Sequence, residues 1–101
     1  MLTSAPEWDL AEARRIVFSK LRGYRVDVFL FGSRATGGAG RYSDIDIGIL
    51  PGELLPTGLL AELREALEES QIIYPVDVVD LSEVSDVFRS RVISTGVRWN
   101  E

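Results

Sequence analysis

The sequence predicts an α+β (α/β sandwich) fold, in which helices pack against a small mixed β-sheet. Two observations support this. Short runs rich in β-branched and aromatic residues alternate with amphipathic helical segments. Hydrophobic residues make up 46% of the 101 positions and charged residues 27%, which is ordinary for a globular protein. The length suits a single domain, residues 1–101, with one core.

The first element is expected to be a helix from Glu7 to Arg22. Ser4 and Glu7 match the capping-box spacing, and Gly23 is a typical residue at the end of a helix. The apolar residues fall at helical spacing and predict a core-facing stripe of Leu10, Ala13, Val17 and Leu21.

Two strands follow. Residues 26–31 are nearly all apolar, which is typical of a buried strand. We expect a short helical turn near Ser33 and then a loop containing the glycine-rich residues 37–40. In residues 44–49, Ile45, Ile47 and Ile49 alternate strictly with Asp44, Asp46 and Gly48. This pattern predicts a half-buried strand with its isoleucines facing the core and its aspartates on the other face.

The rest of the chain is expected to add a helix, a third strand and a last helix. The helix is predicted over residues 58–69 with Thr57 as its cap, and the strand over residues 75–80. The last helix is predicted to be capped by Ser82 and to end near Thr95. The expected core stripes of these two helices are Leu60, Leu63 and Leu67, and Val84, Phe88 and Val92.

The composition excludes several kinds of chemistry. The chain contains no cysteine and no histidine, so disulfides, thiolate metal sites and imidazole bases are excluded. The net charge of −5 is poorly suited to holding a nucleic-acid backbone, so no direct nucleic-acid binding is expected. No basic leader or long apolar run is present, and we therefore expect a cytoplasmic location without membrane contact.

Asp44 and Asp46 are candidate metal ligands. Side chains at positions i and i+2 of a strand share one face, and two ionised carboxylates held that close repel each other. A divalent cation removes this repulsion. Mg²⁺ prefers oxygen ligands and commonly uses one or two carboxylates together with substrate phosphates, which indicates phosphoryl chemistry.

Asp77 is a candidate third carboxylate, because it lies in the next predicted strand. A carboxylate near the metal is a plausible acceptor for the proton of an attacking hydroxyl, and the chain has no histidine for that role. Asp80 competes for the same assignment, but strand alternation places it on the opposite face from Asp77.

Gly32 and Ser33 form a candidate phosphate site at the end of the first strand. Glycine permits close approach of the backbone, and the free N–H groups of a following helical turn favour an anion. Arg34 and Arg41 lie in the same loop and are candidates for neutralising a triphosphate. Each feature alone is common in ordinary turns and solvated strands, so their combination carries the argument.

Three segments together resemble the minimal nucleotidyltransferases of the polymerase-β superfamily. These are residues 31–35 (FGSRA), 42–47 (YSDIDI) and 76–81 (VDVVDL). The family pattern is a Gly-Ser, an intervening loop, an Asp-x-Asp between apolar residues and a later acidic residue. One departure is Thr36, which stands where the family often has a second arginine.

The resemblance implies a nucleotidyltransferase fold and the roles of its residues. Asp44, Asp46 and Asp77 would be the catalytic and Mg²⁺-binding carboxylates, and Gly32 and Ser33 would bind the β- and γ-phosphates of ATP. Members of this size are typically antitoxins paired with a helical HEPN-domain RNase toxin. They transfer AMP from ATP to a tyrosine hydroxyl of that toxin.

Two alternatives remain open at this stage. The domain could neutralise a toxin by binding alone, a reading that the missing arginine at Thr36 motivates. It could also be a nucleotidyltransferase that acts on a small molecule or an RNA, although the short acidic chain counts against this.

Overall fold

The computed structural model describes residues 5–32 and 44–100. A four-stranded mixed sheet in the order β3-β2-β1-β4 carries the helices. Strands β2 and β3 are parallel, whereas β1 pairs antiparallel with both β2 and β4. The predicted fold class is therefore confirmed. The elements in chain order are α1 (Ala5–Lys20), β1 (Val26–Phe31), β2 (Ile45–Pro51), α2 (Leu59–Glu68), β3 (Val76–Asp80), α3 (Asp86–Thr95) and β4 (Val97–Arg98).

The main core lies between one face of the sheet and helices α1 and α2. Strand alternation sends Ile45, Ile47 and Ile49 of β2 to this face, and all three are fully buried. They pack with residues of both helices that follow the predicted stripes, namely Ala13, Val17, Leu21, Leu63 and Leu67. The aspartates of β2 consequently emerge on the other face.

The other face of the sheet is covered in part by helix α3. Phe29 of β1, Leu81 and Val92 form a small buried cluster there, with Phe31 and Phe88 packed against it. On this same face Asp46 is partly buried and Asp77 is exposed.

Helix α3 begins three residues later than the sequence predicts. Its cap is Ser85, whose hydroxyl accepts a hydrogen bond from the Phe88 N–H at 3.1 Å. Ser82, the predicted cap, instead donates its hydroxyl and its N–H to the Asp80 carboxylate at 2.6 and 2.9 Å. The Asp80 side chain thus organises a local turn that delays the helix.

The predicted cap of helix α2 is also wrong. The cap position is Gly58, at a φ of 89°, and it makes no side-chain capping bond. Helix α1 ends at Lys20, two residues before the predicted end. Ser4 of the predicted capping box and the turn near Ser33 lie outside the described residues.

Strand β4 is a further element that the sequence did not predict. Beyond it, the Trp99 N–H donates to the Val28 carbonyl at 2.7 Å. The Asn100 side chain accepts from the Val28 N–H at 2.6 Å and donates to the Val26 carbonyl at 2.8 Å. The C-terminal segment therefore covers the edge of β1 that β2 leaves open.

Within the part of the chain that the structure describes, none of the helices has both the length and the apolar character needed to cross a bilayer.

Candidate functional site

Asp46 lies at the centre of a row of three residues across the sheet. Its register partner on β1 is Phe31, and its partner on β3 is Asp77. Residues in register on neighbouring strands project from the same face, so Asp46 and Asp77 share the face that α3 partly covers. Asp44 comes just before β2 and is exposed, as is Asp77. The structure therefore brings the three predicted carboxylates to one end of the sheet.

The environment of Asp46 disfavours its ionised form. Burial raises the pKa of this carboxyl above its usual 3.8, and the negative charges of Asp77 and then Asp44 raise it further. Within residues 8–32 and 44–100, none of these three carboxylates forms an ion pair with a basic side chain. Unbalanced negative charge of this kind favours binding of a cation.

The donor set fits a magnesium ion that is completed by substrate. Among the described residues, no group of three or more acidic side chains is arranged so that it could hold a metal ion by itself. Mg²⁺ does not need one, because it commonly retains water and takes one or two carboxylates together with substrate phosphates. Asp44 and Asp46 would provide two carboxylates of this type, and Asp77 lies in the next strand. Asp80 bonds to Ser82 instead.

Gly32 ends strand β1 directly against Asp46. Its φ of 78° lies in the left-handed region, and a Cβ added there would collide with the Asp46 Oδ2 atom. Only glycine adopts this left-handed φ without strain and also leaves room for the Asp46 carboxylate. The predicted phosphate-site residue is thus adjacent to the central carboxylate. The other predicted nucleotide-binding residues, Ser33, Arg34 and Arg41, lie outside the described residues.

A cavity of about 330 Å³ adjoins this corner between β1 and α3. Its apolar wall includes Phe31 and Phe88, which contact edge to face with ring centroids 5.7 Å apart. The cavity is lined by Phe31, Gly32, Phe88, Arg91, Val92 and Thr95. Arg91 is not among the site residues predicted from the sequence. The sequence shows that Arg91 shares a helix face with Phe88 and Thr95, because it lies three and four residues from them. It does not show which strand that face packs against.

Two larger cavities have different positions. One of about 740 Å³ lies at the far end of β2, around Pro51 and Asp80, and none of the three site carboxylates lines it. Another of about 450 Å³ follows the outer edge of β3 and includes Asp77. Residues of α2 line this second cavity together with β3, and neither it nor the cavity beside Gly32 is lined by Asp44 or Asp46.

Comparison with known families agrees with this geometry. The family model described as "Polymerase beta, Nucleotidyltransferase" matches residues 24–98. The chain belongs to this nucleotidyltransferase family. The match includes the Gly32 corner and all three carboxylates, so the family resemblance seen in the sequence is confirmed.

Curated relatives of this nucleotidyltransferase are longer than the chain. It is 40% identical over 62 residues to "Probable protein adenylyltransferase MntA" of Haemophilus influenzae. That alignment covers 61% of this chain and 54% of the relative. The chain spans about half the length of the curated relatives it matches.

Several solved structures of similar fold are toxin–antitoxin complexes. One is a toxin–antitoxin with AMP-PNP, at 32% identity and a TM-score of 0.66, covering 87% of this chain and 73% of that one. Another is a tri-AMPylated Shewanella oneidensis HEPN toxin in complex with an MNT antitoxin. It matches at 25% identity and a TM-score of 0.67, covering 94% of this chain and 72% of that one.

Proposed function

We propose that this nucleotidyltransferase is an antitoxin that transfers AMP from ATP to a tyrosine hydroxyl of a cognate HEPN RNase toxin, in a magnesium-dependent reaction. One observation carries the proposal. Asp46 lies between the left-handed Gly32 corner on one side and Asp77 on the other, in an environment that raises its pKa. The relatives named as protein adenylyltransferases and the HEPN complexes support the choice of substrate and partner.

The residues have separate roles in this reaction. Asp44 and Asp46 would hold Mg²⁺, with Asp77 as a further ligand or as the acceptor of the hydroxyl proton. When bound, the metal neutralises charge on the triphosphate and polarises its α-phosphate. Gly32 lets the backbone approach the β- and γ-phosphates, with Ser33, Arg34 and Arg41 as further phosphate-binding residues.

The acceptor comes from the partner protein in this proposal. Asp77 is exposed on β3, which forms one edge of the sheet, so a side chain of another protein can approach it from solvent. A hydroxyl positioned there is on the opposite side of Asp46 from Gly32. This arrangement suits attack on a phosphorus atom bound above Asp46.

The test combines the chain with the protein encoded by the neighbouring open reading frame as the candidate toxin, Mg²⁺ and ATP labelled at the α-phosphate. We expect label on the toxin, none when the label is at the γ-phosphate, and loss of labelled toxin after Tyr→Phe replacement of the acceptor. Labelling should also disappear in the Asp44→Asn/Asp46→Asn double variant.

The same variant separates catalysis from binding. If it neutralises the toxin in cells as well as the native chain does, and neither protein is labelled by the native chain, the domain acts by binding. If label appears only on RNA or a small molecule, the acceptor class in our proposal is wrong.

A further inference from the structure

We infer that Arg91 is the cation that stabilises the departing pyrophosphate, and that the cavity between β1 and α3 receives this leaving group. The inference rests on the proposed nucleotidyl transfer and assigns a side chain outside the three family segments. It follows from where Arg91 lies, from which side of Asp46 the leaving group must depart, and from which basic side chains are available.

Helix α3 brings Arg91 to the phosphate corner. Its C-terminal end packs closely on β1, since a Cβ at Gly96 would lie 3.0 Å from the Leu30 carbonyl oxygen. Val92 is buried against the sheet, whereas the neighbouring Arg91 is exposed. Arg91 and Gly32 line the same cavity of about 330 Å³.

The geometry of displacement assigns this side of the sheet to the leaving group. In an in-line reaction, the attacking oxygen and the leaving oxygen occupy opposite sides of the phosphorus. Adjacent strands are about 4.8 Å apart, so Asp77 and Phe31 flank Asp46 at about that spacing on its two sides. With the hydroxyl beside Asp77, pyrophosphate departs toward β1 and α3.

The step balances in atoms and charge. The bond from the hydroxyl oxygen to the α-phosphorus forms, and the bond from that phosphorus to the α–β bridging oxygen breaks. The hydroxyl proton passes to Asp77, and the bridging oxygen retains the bonding electron pair as part of pyrophosphate. Negative charge therefore grows on the Arg91 side of the site, where a guanidinium stabilises it.

Arg91 is available for this role, in contrast to its neighbour Arg89. The Arg89 guanidinium donates to the carbonyls of Leu81 and Val84 at 2.6 and 3.0 Å and pairs with Asp86 at 2.7 Å. Arg91 has no side-chain partner within the described part of the chain. The Phe31–Phe88 pair forms an apolar wall on one side of the cavity.

The test measures pyrophosphate binding in the presence of Mg²⁺ by calorimetry, using the native chain without its partner. We expect Arg91→Gln to weaken binding about tenfold or more, as for the loss of a hydrogen bond to a charged group. The pyrophosphate affinity of Arg91→Lys should lie between those of the native chain and Arg91→Gln, because lysine retains the charge but not the planar guanidinium. Arg22→Gln is the matched control, since Arg22 is an exposed arginine near the opposite end of β1.

Kinetic measurements with the toxin provide a second readout. Product inhibition by pyrophosphate should weaken in Arg91→Gln, and kcat should fall more than KM for ATP rises, because charge on the leaving group grows in the transition state. Thermal melting should be unchanged, since the side chain is exposed.

Two results would overturn the inference. Pyrophosphate affinity in Arg91→Gln could equal that of the native chain, or the native chain could fail to bind magnesium pyrophosphate. Because the binding assay requires no transfer, its failure is distinct from failure of the proposed function, which is the absence of labelled toxin.

Discussion

Asp46 shows how a single residue can favour function over stability. Its carboxyl lies beside Phe31 on one strand and Asp77 on the other, and burial together with like charge raises its pKa. A carboxyl with a raised pKa in the folded state stabilises the fold only at low pH. That contribution is complete below 3.8 and is lost as the pH rises through the higher folded value.

Replacement of this residue, Asp46→Asn, should therefore separate stability from activity. We expect a higher free energy of unfolding at neutral pH, because the amide removes the repulsion from Asp77 and Asp44. Adenylyl transfer should fall at least about 100-fold, because the central ligand is lost. Urea unfolding at acidic and neutral pH measures the free energy of unfolding, and the labelling assay measures adenylyl transfer.

The pH dependence provides the control for this prediction. The stability difference between the variant and the native chain should grow as the pH rises from below 3.8 and become constant above the raised pKa. An equal difference at every pH would show that the pKa of Asp46 is not raised in the folded state.

Gly32 is the second residue whose environment permits a sharp prediction. Gly32→Ala should cost about 1–2 kcal/mol for the left-handed backbone alone. It should also abolish transfer, because the new methyl group must displace the Asp46 carboxylate. Chemical denaturation and the labelling assay measure the two effects.

Gly58→Ala is the matched control for Gly32→Ala. Gly58 has a similar positive φ of 89°, but a Cβ there would have no atom within 4 Å. This variant should lose similar stability from backbone strain and retain transfer. Equal loss of transfer in both variants would contradict a specific contact between Gly32 and Asp46.

At the level of elements, edge strands and helix ends are stabilised by side chains from other parts of the chain. Strand β3 forms one edge of the sheet, and the Arg64 guanidinium of α2 donates to its Val78 carbonyl at 2.9 and 3.2 Å. Asn100 performs a similar role on β1. These bonds satisfy backbone groups that would otherwise be available to pair with another chain.

The position of the α3 cap leads to a prediction about this element. Ser85→Ala should destabilise the protein by about 1 kcal/mol, because the Phe88 N–H loses its acceptor at the start of the helix. Ser82→Ala, at the cap expected from sequence, should cost less, since its hydroxyl bonds only to the exposed turn at Asp80. Thermal unfolding of the two variants compares them, and a larger loss in Ser82→Ala would place the helix start earlier.

For the whole molecule, charge is distributed unfavourably until a ligand binds. The chain carries a net charge of −5, and three of its carboxylates meet at one end of the sheet. A ligand that supplies positive charge to this cluster binds the folded state alone, since the unfolded chain does not hold the three groups together.

Mg²⁺ with ATP should therefore raise the melting temperature. At a ligand concentration about 100 times its Kd, the stabilisation is about 2.7 kcal/mol. ATP with a chelator should give a much smaller shift, and Asp46→Asn should respond weakly to either mixture. A melting curve that does not change at saturating Mg²⁺ and ATP would be evidence against a formed site.

Much of the architecture could be read from local pattern. The alternation of residues 44–49 and the apolar run of residues 26–31 predict the two central strands, because side chains must alternate or be buried on both faces in such a sheet. Gly32, Asp44, Asp46 and Asp77 could be singled out from residue type and spacing. The cytoplasmic location and the absence of nucleic-acid binding stay predictions.

The remaining features depend on contacts between residues far apart in the chain. Strand β4 is too short to show a pattern and exists because residues 97–98 meet the free edge of β1. Ser85 caps α3 because Asp80 holds Ser82 in a turn. Arg91 and Gly32 line one cavity because α3 packs on β1, and the pKa of Asp46 is raised because folding buries its carboxyl and strand pairing brings Asp77 beside it.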